Sequence, residues 1–140
     1  MSHPTLDFKR AYLAMRRALE QTLKPFHVTG AQFDVVQLLL HDGALEHRDL
    51  QRRLAIASPT LTNIIDGMER EGHVVRKSDT GDARVKTIHL SSKARRLCSS
   101  DEFCAAGDAL VERMFAGFTA AERREFTRYL KRIETNLDAG

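Results

Sequence analysis

Apolar residues recur at helical spacing along most of this chain, and the main exception lies between residues 73 and 90. Phe8, Tyr12, Met15, Leu19 and Leu23 form one stripe, which predicts a helix from Leu6 to Lys24. Pro25 ends it, because proline disfavours helix at the residue before it. Thr29-Gly30-Ala31-Gln32 reads as a capping box opening a helix through Phe33, Val36, Leu39 and Leu40 to His41. Gly43 is its natural stop. Ala44 to Glu46 reads as a short extended link with room for one strand bridge. A helix from His47 turns Leu50 and Leu54 inward. The next opens with Ser58 as N-cap and Pro59 as first helical residue, carries Leu61, Ile64, Ile65 and Met68 on its core face, and closes at Gly72.

The period then changes. His73 to Lys77 reads as a strand, Ser78 to Asp82 has loop composition, and Val85 to Leu90 returns with the β-branched residues a pleat favours. Ser91 caps a long helix predicted from Ser92 to Gly117. Thr119 to Glu122 forms a second capping box, leading Phe126, Tyr129, Leu130, Ile133 and Leu137 along one face. The expected class is mainly α with a small β-hairpin wing: a winged helix-turn-helix unit at 29–90, with helical arms at 1–28 and 91–140, all in one domain of 140 residues. The arms carry apolar stripes outside the compact unit, so a second copy is expected to cover them.

Charge sharpens the picture. From Arg76 to Arg96 seven basic residues stand against two acidic ones, while beyond Leu97 eight acidic outnumber six basic. A basic loop beside a neutral-to-acidic remainder suits a polyanion at one face. A content of 42% hydrophobic and 29% charged residues is that of a globular protein. No apolar run is long enough to span a bilayer and no secretory signal precedes the first helix, which predicts a cytoplasmic protein without a membrane partner. The six histidines are scattered, and no metal site, nucleophile elbow, phosphate loop or paired catalytic carboxylates appear; neither an enzyme nor a cofactor is expected. Cys98 and Cys104, six apart on one unbroken helix, would lie about 120° apart around it and could not pair.

Val28-Thr29-Gly30-Ala31-Gln32-Phe33, Asp49 to Leu54, Ser58-Pro59-Thr60-Leu61-Thr62-Asn63, Asp82-Ala83-Arg84 and Leu90 to Arg95 resemble, in order and spacing, the MarR family of bacterial transcription regulators. The resemblance implies a winged-helix homodimer joined through its terminal helices. It also implies binding to a pseudo-palindromic operator in double-stranded DNA, relieved by a small phenolic or other aromatic effector or, in some branches, by thiol oxidation. This chain departs from the pattern at Ala55, where relatives commonly carry glycine, at Ala57, where they carry serine, and at Asn63 and Gly67, where many are basic.

On such a frame Ser58, Pro59, Thr60, Thr62 and Asn63 would meet DNA, Asn63 being able to pair with an adenine edge and Ser58 with a phosphate. Arg84 would enter the minor groove from the wing, with Asp82 bracing the loop. Arg76, Lys77 and Lys86 would contact phosphates, as could Arg52 and Arg53. Tyr12, Met15, Phe33 and His41 are the candidates to line an effector cleft. Two other readings compete: a winged-helix interaction module without DNA binding, and a cysteine-based redox regulator.

Overall fold

The structure is a computed structural model that describes residues 1–79 and 81–138. Eleven elements follow in order: α1 (Pro4–Leu23), a 3-10 turn (Lys24–Phe26), α2 (Gly30–Asp42), β1 (Leu45–Glu46), α3 (His47–Leu54), α4 (Ser58–Arg70), β2 (Val74–Lys77), β3 (Thr87–Leu90), α5 (Ser92–Cys98), α6 (Asp101–Met114) and α7 (Ala120–Asp138). Both capping boxes form. The Thr29 hydroxyl accepts from Gln32 N–H at 3.1 Å while Gln32 Oε1 accepts from Thr29 N–H at 3.1 Å. Thr119 and Glu122 repeat the exchange at 3.1 and 2.8 Å. Each exchange satisfies two N–H groups that a helix start leaves without an intrahelical partner.

The hairpin joins a three-stranded antiparallel sheet of order β1-β3-β2. The short link before α3 is thus a real edge strand, pairing Leu45 with Ile88 and Glu46 with Thr87. The hairpin strands are shorter than predicted, starting at Val74 and Thr87, in the register Val74 to Leu90 and Lys77 to Thr87. His73 is instead drawn into the end of α4, where its N–H donates to the Met68 carbonyl at 2.8 Å and Gly72 takes a φ of 80°. Of the predicted loop from Ser78 to Asp82, Thr80 lies outside the described residues.

Two cores result. The larger holds Val35, Leu39, Leu50, Leu61, Ile65, Met68, Val74 and Ile88, uniting α2, α3 and α4 with the sheet. The smaller, around Leu19, Leu23 and Leu110, packs α1 and α6 together with Phe33 of α2 and Phe103 of α6 at its edge. By contrast α7 buries none of its described residues within the subunit. Leu6, Phe8 and Leu13 of α1, Met114 of α6, and Phe126, Tyr129, Ile133 and Leu137 of α7 are all exposed. Among the described residues no helix is long and apolar enough to cross a membrane.

Two predicted features are corrected. The helix from Ser92 to Gly117 is two helices, broken at Ser99 and Ser100. Ser99 Oγ donates to the Arg95 carbonyl at 2.8 Å, and Ser100 Oγ donates to the Leu97 carbonyl at 2.7 Å. Ser100 Oγ also accepts from Phe103 N–H at 3.3 Å. These hydroxyls compete with the helical ladder for main-chain groups, and Asp101 and Glu102 then favour a fresh N-terminus. Apolar periodicity did not register the break because it carries no information about paired serines. The second correction is at α4, whose N-cap is Ala57, with no side-chain cap bond; Ser58 and Pro59 sit one position further into the helix than predicted.

Candidate nucleic-acid interface

The geometry begins at Ala55, which ends α3 at φ 54° and ψ 45°. This left-handed conformation lets the Ala55 and Ile56 N–H groups close on the Arg52 and Gln51 carbonyls, each at 3.3 Å, and turns the chain into α4. For alanine it costs about 1 kcal/mol that glycine would not incur. Ser58 Oγ then lies 3.1 Å from His47 Nε2, joining the starts of α3 and α4. Ser58 is the first residue of α4, one position past its N-cap Ala57, and does not cap its own helix.

Leu61, Ile65 and Met68 are buried on the inner side of α4, so helical spacing puts Pro59, Thr60, Thr62 and Asn63 outside, where all four are exposed. Opposite the core the helix presents hydrogen-bonding groups and little charge. Its C-terminus is held from the far side of the wing by two groups that reasoning on the sequence missed. Lys93 Nζ donates to the Glu71 carbonyl at 2.7 Å, and Ser91 Oγ donates to the Gly72 carbonyl at 2.6 Å. Serine and lysine just after a strand were visible in the sequence, but their partners lie 19 and 22 residues back.

The basic residues divide into paired and free. Arg76 of β2 is placed as a brace: its guanidinium donates to Asp66 Oδ1 and to Glu69 Oε1, both at 2.8 Å, and so spans from the wing to α4. Arg52 is paired with Asp49 at 2.8 Å, and Arg53 with Asp42. Lys77 is exposed, and Lys86 Nζ reaches Ser78 Oγ at 2.6 Å. Arg84 projects from the wing with 91% of its side chain exposed. Asp82 accepts the Arg84 N–H at 2.9 Å and its guanidinium Nε at 3.3 Å. That main-chain donor, and next the guanidinium, hold the Asp82 carboxyl below the usual carboxylate range. At the wing stem Asp79 accepts from the Thr87 hydroxyl and pairs with His89, and these two contacts, Thr87 first, likewise lower its pKa.

A cleft of about 680 Å³ opens between α1, α2, α3 and α6. Of the residues predicted for such a cleft, Tyr12, Met15 and Phe33 line it together, joined by Phe26 and Phe103. Phe103 stacks edge-on to Phe26 with ring centroids 5.0 Å apart. Arg16 of α1 crosses to Asp34 of α2 at 2.8 Å on the cleft wall. His41 is not part of it: its side chain is 86% exposed and its Nδ1 bonds its neighbour Asp42 at 2.7 Å. His41 sits on the far end of α2, a position that helical spacing from Phe33 alone does not exclude. His41 and His47 engage separate partners, Asp42 and Ser58.

Comparison with known proteins follows the same segments. The model of the MarR family matches residues 28–86, which contain α2, α3, α4, β2 and most of the wing. FarR of Neisseria gonorrhoeae, an HTH-type transcriptional regulator, is 31% identical over 86 residues, covering 59% of this chain and 59% of that protein. The homoprotocatechuate degradative operon repressor of Escherichia coli is 27% identical over 127 residues, covering 91% of this chain and 84% of that one. Among solved structures, a mutant MarR of E. coli complexed with operator DNA superposes with a TM-score of 0.77 at 22% identity, covering 90% of this chain and 89% of that one.

Proposed function

We propose, from the match of residues 28–86 to the MarR family model, that the chain is a MarR-family protein: a dimeric, DNA-binding transcriptional regulator, a repressor that a small aromatic effector releases. The observation that carries the reading is the disposition of α4. Its apolar residues are buried in the larger core, while Pro59, Thr60, Thr62 and Asn63 face outward beside a wing that ends in Arg84. A helix exposed in that way fits the major groove, and a guanidinium on a loop beside it fits the minor groove.

Each residue then has a role. Asn63 and Thr60 read base edges, while Ser58 and the start of α4 face a phosphate. Lys77 and Lys86 contribute phosphate contacts, which release counterions and make affinity fall with salt. Arg76 acts indirectly, because both of its carboxylate partners lie on the recognition helix. Dimerisation through α1, α6 and α7 covers the apolar residues that those helices leave exposed. The effector cleft is the one that Tyr12, Met15 and Phe33 share, between the arm and the winged unit, and its occupant is a flat aromatic molecule able to lie among Phe26, Phe33 and Phe103. The protein works in the cytoplasm as one domain, where its DNA is.

The test is selection of bound sequences from a random DNA pool by the full-length protein, followed by titration of the selected duplex at several salt concentrations. Recovery of an inverted repeat, with affinity falling steeply as salt rises, is the expected result. Recovery of no sequence, with no retardation of any duplex at low salt, would leave an interaction module and overturn the proposal.

A further inference from the structure

Arg70, the last residue of α4, is exposed and is the only basic residue of that helix. A cation in the last turn of a helix ordinarily has two occupations: pairing with a carboxylate one turn back, or capping the last carbonyls. Both are filled here by residues from other elements. Asp66, four residues before Arg70, accepts from Arg76 of β2 at 2.8 Å, and Glu69 accepts from the same guanidinium at 2.8 Å. Glu71 turns to His73, with Oε2 at 3.6 Å from Nε2. At the helix end, Lys93 Nζ already donates to the Glu71 carbonyl. Among the described residues the Arg70 guanidinium therefore has no carboxylate partner, although three carboxylates stand close to it in sequence.

Gly67 shows where that guanidinium rests. A Cβ placed on Gly67 would stand 3.7 Å from Arg70 Nη2, so the side chain lies back along the helix, over bare backbone and toward Asn63. Helical spacing puts Arg70 about 20° around from Asn63 and about 10 Å further along the axis. The two share the outward side, opposite the buried Leu61, Ile65 and Met68. The major groove is about 12 Å wide, so a helix whose middle meets base edges has its last turn level with the sugar-phosphate wall. A guanidinium there matches a phosphate in charge and in hydrogen-bonding geometry.

We propose that Arg70 is a phosphate contact of the recognition helix, and that Arg76 keeps it available by occupying the carboxylate that would claim it. Asp66 is the shared acceptor. With the wing strand in place, Asp66 holds Arg76, and Arg70 reaches the DNA backbone. With β2 drawn away, Asp66 pairs with Arg70 along the helix, and the phosphate contact is lost together with the brace. The position of the wing thereby sets the positive charge that α4 offers to DNA. This role rests on the DNA-binding reading given above.

The test is a double-mutant cycle on the full-length protein, with the selected duplex and an unrelated duplex titrated at several salt concentrations. Arg70→Gln should lower affinity about tenfold for both duplexes and reduce the slope of log affinity against log salt by about one, while Arg70→Lys should keep most of that slope. In the Arg76→Ala background the same Arg70→Gln should cost less than about twofold, because Asp66 has already taken Arg70. Adding Asp66→Asn to Arg76→Ala should restore the full cost of Arg70→Gln. An unchanged salt slope in the single variant would overturn the phosphate contact, as would a preference flattened at one base pair, which is the mark of a base contact. Equal costs of Arg70→Gln with and without Arg76 would overturn the shared acceptor. Failure of the unaltered protein to retard any duplex at low salt would overturn the functional reading, and this contact with it.

Discussion

Arg76 donates to Asp66 across 2.8 Å, and by that contact the first strand of the wing, β2, is tied to α4. A second bond from the same guanidinium reaches Glu69, so one cation answers two carboxylates on α4. Without it, both would face approaching phosphates unanswered by the wing. Arg76→Ala should weaken DNA binding about tenfold at low salt, with base preference kept and a stability loss under about 1 kcal/mol, since the pair is partly exposed. Competition titration with selected and unrelated duplexes measures this. Asp66→Asn in the Arg76→Ala background should recover part of the affinity; a further loss instead would show that Arg76 touches DNA itself.

Asn63 makes the opposite kind of contribution. Exposed in the middle of α4 and uncharged, it can discriminate between bases without adding a phosphate contact. Asn63→Ala should cost about 1–3 kcal/mol on the best sequence and much less on duplexes altered at one base pair, with an unchanged salt slope. Binding measured against a panel of single-base variants would show the preference flatten at one position. A uniform drop across the panel would assign Asn63 to general affinity.

Ala55 holds a left-handed conformation in the turn between α3 and α4. Ala55→Gly should relieve the clash at Cβ and stabilise the fold by about 0.5–1 kcal/mol after the added flexibility of the unfolded chain is counted. That corresponds to a rise in melting temperature of about 2–4 °C at fixed protein concentration. Calorimetry decides it, and a lower melting temperature would mean that the methyl group contributes packing that outweighs its strain.

The wing should loosen in acid. Asp82 has its carboxyl held below the ordinary range by the Arg84 N–H and guanidinium, so its folded value lies under its unfolded one of about 3.9. The brace is therefore fully present above the unfolded value and is lost as pH falls through the folded one. Amide exchange at Arg84, expressed relative to its intrinsic rate at each pH, should be steady from pH 7 to about pH 5 and become fast only below the ordinary carboxylate range. Asp82→Asn should bring the fast exchange to neutral pH, and an Arg84 amide equally fast in both proteins would remove Asp82 from the wing.

Ile133 on α7 is exposed within the subunit, among Phe126, Tyr129 and Leu137. Ile133→Asp should shift the protein from dimer to monomer in sedimentation at micromolar concentration. A charge in the centre of an apolar interface is desolvated without a partner and costs several kcal/mol. A dimer of unaltered strength would place the interface elsewhere.

Much of this molecule was legible from contiguous residues. The stripes of α1, α4 and α7, the two capping boxes, and the bracing of the wing by Asp82 two residues before Arg84 all depend on partners within a few positions. Ala55 stands where relatives commonly carry glycine, and the structure puts it in a left-handed conformation. The helix break at Ser99 and Ser100 was just as local but went unseen, because attention to apolar period passes over hydroxyls that compete for carbonyls. Arg76 was expected on DNA, and only the fold placed Asp66 and Glu69 within its reach.

The order of hydrophobic and polar positions therefore settled most of the helices and strands and which face of each is apolar, though not the turn at Ser99 and Ser100. Such features arise from interactions along the backbone and from burying one side of each element. Tertiary structure decided which charges are free and which are spent on one another, and that Tyr12, Met15 and Phe33 share a cleft from which His41 is absent. Those outcomes depend on distances between segments far apart in the chain, and residue spacing carries no measure of them until the elements pack.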